Sequence, residues 1–299
     1  MAIDYFKLKN WVFPELEHRY SEKDTILYAL ALGLGKDPID ADELRFVYER
    51  DLQAVPSMAV ILGHPGLWMG VPASGIDLSK VVHGEQKIRL HRSLPSSGVV
   101  IGRSRVTGVV DKGTDKGALV VVERQVIDKK SGAMLATVEQ VSFCRAEGGF
   151  SIAGQPSDAW PARPAMPSRP ADQSCDMSTR PEMALLYRLS SDMNPLHADP
   201  QAAKAAGFPR PILHGLGTYG VACHAILKMC CDYRPERLQS LEARFSSPVF
   251  PGETIRTEFW RANEDSEGGQ GGSKRVYFQS RVVDRDKIVL SNGIADIGA

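Results

Sequence analysis

The chain repeats one pattern twice, and this repetition limits its fold more than any other feature of the sequence. Four segments of the first half recur in the same order in the second half: 26–33 as 185–192, 54–61 as 209–216, 82–88 as 250–255, and 118–126, continuing to 141, as 275–296. Four ordered matches are hard to obtain by chance, so the sequence predicts two similar units joined in tandem.

Each unit is predicted to contain short helices, then a long helix, then several strands. Runs rich in β-branched residues at 98–110, 117–127 and 133–144 are separated by turn residues, and 241–297 repeats this arrangement around a flexible loop at 264–273. Strands that follow a helix, rather than alternate with helices, indicate an α+β fold. We therefore expect a first unit at 1–150, an extended proline-rich linker at 151–180 and a second unit at 181–299.

Composition and charge exclude several classes of protein. The 299 residues include 36 Lys and Arg against 36 Asp and Glu, so no net field draws the chain to nucleic acid or to a membrane. No apolar stretch reaches the roughly 18–20 residues of a membrane helix, and the N-terminus lacks a signal-peptide pattern. Five cysteines without a CxxC pair predict reduced thiols. Because the chain does not end in Ser-Lys-Leu, we expect a cytoplasmic protein.

The most informative stretch, 187–200, places a carboxylate, an amide and an imidazole within six residues: Asp192, Asn194 and His197. Pro195 pushes Asn194 out of helical geometry, so the preceding helix is predicted to end near Asp192. The three side chains are thereby confined to one tight bend. This arrangement puts them within reach of a single small molecule.

A short helix is predicted to follow this bend. Asp199 suits its N-cap, Pro200 its first position and Gly207 its end.

The equivalent stretch of the first unit lacks the polar trio, since Gly33, Gly35 and Pro38 fall near the corresponding positions. Taken singly, an Asp at a helix end, an Asn-Pro turn and a lone His are more often structural than catalytic. A structural role for all three, however, would predict them in both copies. Their presence in one copy favours a catalytic site in the second unit.

A second feature is the start of the long helix in the second unit. Pro211 suits its first turn, and 212–231 is apolar on most faces, as in a buried helix. Gly215 and Gly217 carry no side chain, so a ligand oxygen can approach the unpaired backbone N–H groups of the first turn. Such groups stabilise an oxyanion or a thioester carbonyl. Tight backbone packing is the alternative. His214 is a candidate for a second catalytic residue or for a cap, and a supporting role is favoured.

At these residues the chain resembles the MaoC-like (R)-specific enoyl-CoA hydratases, also called hydratase 2. That family carries a Tyr-x-Leu-Ser/Thr-Gly-Asp-x-Asn-Pro-x-His loop, a His-Gly-Leu/Met helix start and a Pro-Val-x-Pro-Gly-Glu-Thr segment, matched here at 187–197, 214–216 and 248–254. Ser191 stands where the family usually has Gly and adds a side chain beside Asp192. The first unit resembles the degenerate N-terminal half of the two-unit members.

The resemblance implies a tandem, or double, hotdog fold, in which each unit is a long helix wrapped by an antiparallel β-sheet. It also implies addition of water across a trans-2-enoyl-CoA to give the (3R)-hydroxyacyl-CoA, without a metal or an organic cofactor. On this basis Asp192 and His197 activate the water, Asn194 orients it, and the Gly215 N–H polarises the thioester carbonyl. A degenerate first unit is expected to widen the acyl pocket.

Further substrate contacts are expected from residues close to this motif, namely Tyr187, His214, Leu216, Gly217 and Arg244. The phosphates of CoA require basic partners, for which the candidates are Arg244, Arg210 and Lys204. The family also leads us to expect a homodimer. The other expected partner of the chain is its acyl-CoA substrate.

Three alternatives remain open at this point. The same site run in reverse would dehydrate a small branched or dicarboxylic hydroxyacyl-CoA. A non-catalytic acyl-CoA-binding subunit is a second alternative, which the intact trio disfavours. A metal site made of Asp192, His197 and His214 is a third, although their spacing matches no common metal motif.

Overall fold

The computed structural model describes residues 3–190, 192–262 and 273–299, so Ser191 and nearly all of the loop predicted at 264–273 lie outside the described residues. The helices of the described residues are α1 Tyr5–Lys9, α2 Glu22–Ala31, α3 Ala41–Leu44, α4 Met183–Tyr187, α5 Pro200–Ala205 and α6 Gly215–Cys230. The strands are β1 Leu16–Tyr20, β2 Val81–Leu90, β3 Gly98–Asp111, β4 Ala118–Asp128, β5 Met134–Cys144, β6 Gln173–Ser178, β7 Leu238–Phe245, β8 Thr254–Arg261, β9 Lys274–Val282 and β10 Lys287–Ile297.

These strands form one continuous antiparallel sheet in the order β1-β3-β4-β5-β2-β7-β10-β9-β8-β6. Each strand of the first half occupies the position that the strand five places later occupies in the second half. The halves meet at β2 and β7, where Glu85 lies opposite Arg244 and Arg89 opposite Ser240. The sheet order agrees with the predicted duplication.

Two details of the predicted organisation are wrong. Segment 82–88 forms β2, whose counterpart is β7, whereas 250–255 leads into β8, the counterpart of β3. The similar Gly-Glu pairs in the two segments caused this mismatch. In addition, β6 lies inside the predicted linker, yet it pairs with β8 along its whole length and so belongs to the second half of the sheet. The exact unit boundaries stay a prediction.

Helix α6 lies at the centre of the fold, because every residue from Gly217 to Leu227 is buried. Its side chains form one core with the inner faces of both halves of the sheet. A helix that is apolar on all sides is stable only when it is surrounded. The helix begins at Gly215, after His214 as N-cap, and not in the turn of Pro211. No helix of the described residues is long and apolar enough to cross a membrane.

The long helix predicted for the first unit is absent from the described residues. In its place is a five-residue 3-10 turn, Pro56–Val60. The chain cannot continue this turn as a helix, because Gly63 adopts the left-handed conformation, at φ +62°. The backbone of Gly63 also packs directly against Gly102 of β3. A single helix therefore serves both halves of the sheet.

The segment between β5 and β6 is extended, as predicted, and crosses both halves. Near its start, the Asp158 carboxylate accepts hydrogen bonds from Tyr5 Oη and from the Val109 backbone N–H. Further along, Arg163 forms an ion pair with Glu85 on β2. The segment then packs on Trp260, whose Nε1 donates to a backbone carbonyl of the segment at 2.8 Å.

Substitution of Gly102 by Ala should destabilise the protein. A Cβ at this position would lie 2.2 Å from the carbonyl oxygen of Gly63, and the nearest atoms are all backbone atoms, which cannot rotate away. We expect a loss of about 1–3 kcal/mol in the free energy of unfolding, measured by urea denaturation. The control is Gly98→Ala in the same strand, where the new Cβ would meet only Tyr20 at 3.8 Å. Equal stability of the two variants would contradict the prediction.

Candidate active site

The 192–197 loop is held by hydrogen bonds within itself. Helix α4 continues as a 3-10 turn to Ser190, and a second 3-10 turn covers Pro195–His197. Asn194 is the N-cap of the second turn, and its side chain accepts from the Leu196 N–H at 3.0 Å. The Asn194 N–H donates to Asp192 Oδ1, also at 3.0 Å. One carboxylate oxygen of Asp192 is thus used for positioning, and Oδ2 is left for chemistry.

His197 faces that oxygen with one defined nitrogen. Its Nδ1 lies 2.8 Å from the carbonyl oxygen of Ile212, which can only accept, so Nδ1 carries the proton. In the neutral ring Nε2 then holds the lone pair, 3.9 Å from Asp192 Oδ2. Burial lowers the pKa of His197 below its usual value, although the Ile212 carbonyl and Asp192 oppose this effect. His197 is therefore a neutral base near pH 7.

His214 supports the 192–197 loop through a hydrogen bond and a ring contact. Its Nε2 donates to the backbone carbonyl of Asp192 at 3.1 Å. Its ring stacks on that of His197, with the centroids 3.7 Å apart, and lies 5.0 Å from the ring of Tyr187. Burial, followed by the neighbouring His197, lowers the pKa of His214 to about 4. A neutral His214 can stack on His197 without charge repulsion.

Gly215 is the first residue of α6, so its N–H has no partner within the helix. The side chain of the N-cap His214 makes no capping hydrogen bond either. Gly215 is half-buried, and a Cβ at this position would lie 3.4 Å from the ring of Phe245. The positive end of the helix dipole therefore meets a partly closed space beside the 192–197 loop.

Together these groups can hold a water molecule next to an electrophile. The gap of 3.9 Å between His197 Nε2 and Asp192 Oδ2 is too long for a direct hydrogen bond, but it suits a water that bonds to both atoms. The N–H groups at the start of α6 can donate hydrogen bonds to a carbonyl oxygen on the adjacent side. A carboxylate and a neutral imidazole around one water are the elements of general acid–base catalysis.

The same three side chains also meet a distance criterion for metal binding. Asp192, His197 and His214 each offer one ligand atom, and these atoms lie within 4.8 Å of one another. The two imidazoles are stacked, however, with their planes only 27° apart. Their lone pairs therefore lie in two nearly parallel, separated planes and do not converge on a point about 2.0–2.1 Å from both nitrogens, as a shared ion requires.

The other residues predicted for the site are distributed unevenly. Tyr187 is fully buried between the rings of Tyr28 and His214. Gly217 is buried, and a Cβ there would lie 3.2 Å from Leu213, which agrees with the packing alternative for this glycine. Leu216 is half-buried against the core.

The structure does not bring Arg244 to the site. Along β7, Leu241 and Ala243 face the core and Arg244 is exposed on the opposite face, across from Glu85 on β2. Lys204 is exposed on α5. Arg210 is exposed too, with its guanidinium 5.1 Å from the ring of Phe250, and it directly precedes the segment that holds His197.

Sequence reasoning missed the contribution of the first unit to the site. His83, on β2, places its ring 4.6 Å from that of Phe245, which in turn covers Gly215. The charge of Asp192 also acts on both His64 and His83, and it opposes the lowering of their pKa values by burial. The sequence signal for His83 was weak, because it is one of several polar residues that alternate with apolar ones along β2. Period-two alternation alone does not tell which face is buried.

Comparison with known families divides the chain into two halves, as the sheet does. Residues 18–146 match the family model described as the MFE-2 hydratase 2 N-terminal domain, and residues 163–284 match the MaoC like domain. The chain is 40% identical, over 297 residues, to a peroxisomal enoyl-CoA hydratase 2 from Arabidopsis thaliana. This match covers 95% of the chain and 92% of the Arabidopsis protein.

Solved structures agree. A MaoC-like dehydratase from Phytophthora capsici superimposes with a TM-score of 0.82 at 32% identity, covering 99% of both chains. A Mycobacterium tuberculosis protein described as a double hotdog fold superimposes with a TM-score of 0.55 at 15% identity, covering 96% of each chain, a likeness of fold alone. The predicted α+β, double hotdog fold is confirmed.

Neutral histidines at buried and half-buried positions should make the protein sensitive to acid. His64, His83 and His214 each have a pKa of about 4, against about 6.5 in an unfolded chain, so the unfolded state binds more protons between these values. The contribution of these histidines to the free energy of unfolding is therefore fully present above pH 6.5, and it is lost as the pH drops from 6.5 towards 4. In His214→Gln this loss should be smaller by roughly 3 kcal/mol.

The measurement is the free energy of unfolding in urea at a series of pH values. His91→Gln is the control, because His91 is exposed and burial lowers its pKa less than that of His214, so this variant should change the pH dependence less than His214→Gln does. Identical pH dependence of wild type and His214→Gln would show that His214 is not a buried neutral group.

Proposed function

Because the chain belongs to the MaoC-like hydratases of the two-unit hydratase 2 type, we propose that it adds water to a trans-2-enoyl-CoA to give the (3R)-hydroxyacyl-CoA, reversibly. The observation that carries this proposal is the pairing of His197 Nε2 with Asp192 Oδ2 beside the start of α6. The pair and the helix start provide what hydration needs, namely a held water and a polarised carbonyl.

The water is activated by His197 and Asp192. The lone pair of His197 Nε2 and the carboxylate of Asp192 both accept hydrogen bonds, so a water between them has its oxygen free to attack C3. As the bond between this oxygen and C3 forms, a proton passes to the pair. The hydrogen bond from His197 Nδ1 to the Ile212 carbonyl holds the ring in the orientation that this transfer requires.

The thioester carbonyl is polarised at the start of α6. C3 becomes electrophilic only when electron density can move to the carbonyl oxygen, which carries negative charge in the resulting enolate. The Gly215 N–H, supported by the helix dipole, is the donor that stabilises this charge. Protonation of C2 then restores the carbonyl and completes the addition.

The remaining expectations follow from the same assignment. Asn194 orients the water indirectly, since its side chain caps the turn that carries His197. Arg210 is the proposed contact for a CoA phosphate, because it is exposed next to the site. The reaction is proposed to need no metal and no organic cofactor. A homodimer and a cytoplasmic location stay predictions, and the Arabidopsis relative is named as peroxisomal.

Removal of either member of the pair should abolish most of the activity. For Asp192→Asn and His197→Ala we expect kcat to fall by about 10²–10⁴-fold, the range for a lost general acid or base. The assay is the loss of the enoyl thioester absorbance with crotonyl-CoA and trans-2-decenoyl-CoA. The configuration at C3 of the product is then checked with a stereospecific dehydrogenase.

Asp199→Asn is the matched control, because Asp199 is an exposed N-cap of α5 and Asn caps a helix as well as Asp does. Its activity should equal that of the wild type. Full activity of Asp192→Asn would contradict the proposed base, and loss of wild-type activity on treatment with a chelator would favour the metal site instead. A wild type that binds but does not convert these esters would be an acyl-CoA-binding subunit.

The donor role of Gly215 can be tested by removing only its N–H. His214 has φ −55° and ψ 138°, the conformation preferred before proline, and proline is favoured at the first position of a helix. Gly215→Pro should therefore fold, yet lose about 10²–10³-fold in kcat, as expected for one missing oxyanion donor.

Gly215→Ala is the control for this substitution, because it adds a Cβ beside Phe245 but keeps the N–H. We expect the Ala variant to keep clearly more activity than the Pro variant. Equal losses in the two variants would mean that side-chain volume, and not the N–H, matters at this position.

A further inference from the structure

The inner faces of the two half-sheets differ in polarity. In the second half the buried inner positions are apolar, except for Thr257 and Ser280, whose hydroxyls bond to each other at 2.9 Å. In the first half, Gln86 lies opposite Gln140, and Arg124 lies opposite Val138, a core residue. The first unit therefore turns long polar side chains towards the interior.

These side chains continue into a cluster that faces the active site, which we call the polar cluster: His64, His83, Arg124 and Gln140. His64 Nδ1 accepts from the Gly66 N–H at 3.0 Å, so in the neutral ring Nε2 carries the proton. Burial, and then the positive charge of Arg124, lower the pKa of His64 to about 4.

A β-bulge aims His83 at the catalytic side. The register of β2 against β5 shifts between His83 and Glu85, so Gly84 is the extra residue. A Cβ on Gly84 would lie 3.2 Å from the Val141 carbonyl oxygen, which explains the glycine. His83 then lies against Phe245, and its Nε2 is buried without a hydrogen-bond partner among the described residues.

Arg124 is the member of the cluster that most needs a ligand. It is 3% exposed, and its Nη2 donates to the carbonyl of Val60 at 2.6 Å. Its Nε has no hydrogen-bond partner, and among the described residues no carboxylate forms an ion pair with it. Burial lowers its pKa to about 9, so it is still a cation at pH 7. A buried cation without an anion is costly, and an alkyl chain cannot offset this cost.

The open and closed sides of the site show where each part of the substrate lies. The solvent side of the 192–197 loop is open, with the Asp192 side chain 46% exposed and Leu189 and Met193 more exposed still. The large, charged CoA portion of a bound substrate must extend from the site on that side, towards solvent. The acyl group then points to the buried side, where His64 and His83 of the first unit lie within reach of the Asp192 charge.

We propose that the preferred acyl group carries a carboxylate, which pairs with Arg124. This inference rests on the hydratase activity proposed above and names the substrate class of that site, an enoyl-CoA with an ω-carboxylate. The Arg124 guanidinium supplies the positive charge and further donors in one plane, a geometry that matches a carboxylate.

The test compares substrates of matched length. Wild type is assayed with trans-2-pentenoyl- to trans-2-octenoyl-CoA and with the ω-carboxylate of each. At the best chain length we expect kcat/KM to favour the carboxylate about tenfold or more, the ratio that corresponds to about 1.4 kcal/mol. In Arg124→Met this ratio should fall below one, mainly through KM for the carboxylate. Arg124→Lys, which keeps the charge but not the planar donors, should give an intermediate ratio.

Arg105→Met is the matched control, since Arg105 is an exposed arginine on the neighbouring strand that pairs with Glu123. It should keep the wild-type ratio. If Arg124→Met does not fold, the wild-type ratio still decides. A wild type that hydrates the methyl-ended esters without preferring the carboxylate at any length overturns the inference and leaves the proposed function intact. Failure to hydrate any ester would instead overturn the proposed function.

Discussion

The burial of α6 is the constraint on which the rest of the structure depends. All residues from Gly217 to Leu227 are buried, so the helix must be enclosed, and ten strands in one antiparallel sheet enclose it. Because the helix is central, its first turn lies inside the protein and not in solvent. The N–H groups of that turn and the helix dipole consequently act in a medium of low dielectric, where they are stronger than at a surface.

The loop opposite this helix start is tied to the rest of the chain by hydrogen bonds from histidine side chains to backbone carbonyls. His197 and His214 each use one ring nitrogen to bond a backbone carbonyl, those of Ile212 and Asp192. These two bonds tie the loop to the segment that leads into α6. These bonds and the Asn194 N–H, which donates to Asp192 Oδ1, fix where the Asp192 carboxylate lies relative to the Gly215 N–H.

The two units have diverged in what they contribute to one site. The second unit supplies the helix, the loop and the acid–base pair. The first unit has only a 3-10 turn where a helix would lie, and its sheet turns Arg124 and Gln140 inwards. A unit without its own helix does not need a fully apolar inner face. Its interior is thus free to acquire polar groups such as these.

The sequence by itself determined the elements whose signals are local. It predicted the strands β3, β4 and β5 to within about a residue, the capping of α5 by Asp199 and Pro200, and the bend that gathers Asp192, Asn194 and His197. Caps, prolines and turn residues act within a few positions, and therefore they can be recognised without knowledge of the fold. The motif around Asp192 also determined the family.

Only the tertiary structure decided the features that depend on contacts between distant segments. The absence of a helix after Pro56 follows from the packing of Gly63 on Gly102, and the start of α6 at Gly215 follows from how His214 meets the loop. Arg244 faces outwards and Arg124 inwards because strand register, set by pairing across the sheet, determines which alternate positions are buried. That information is held by the assembled sheet, and no short segment of the sequence contains it.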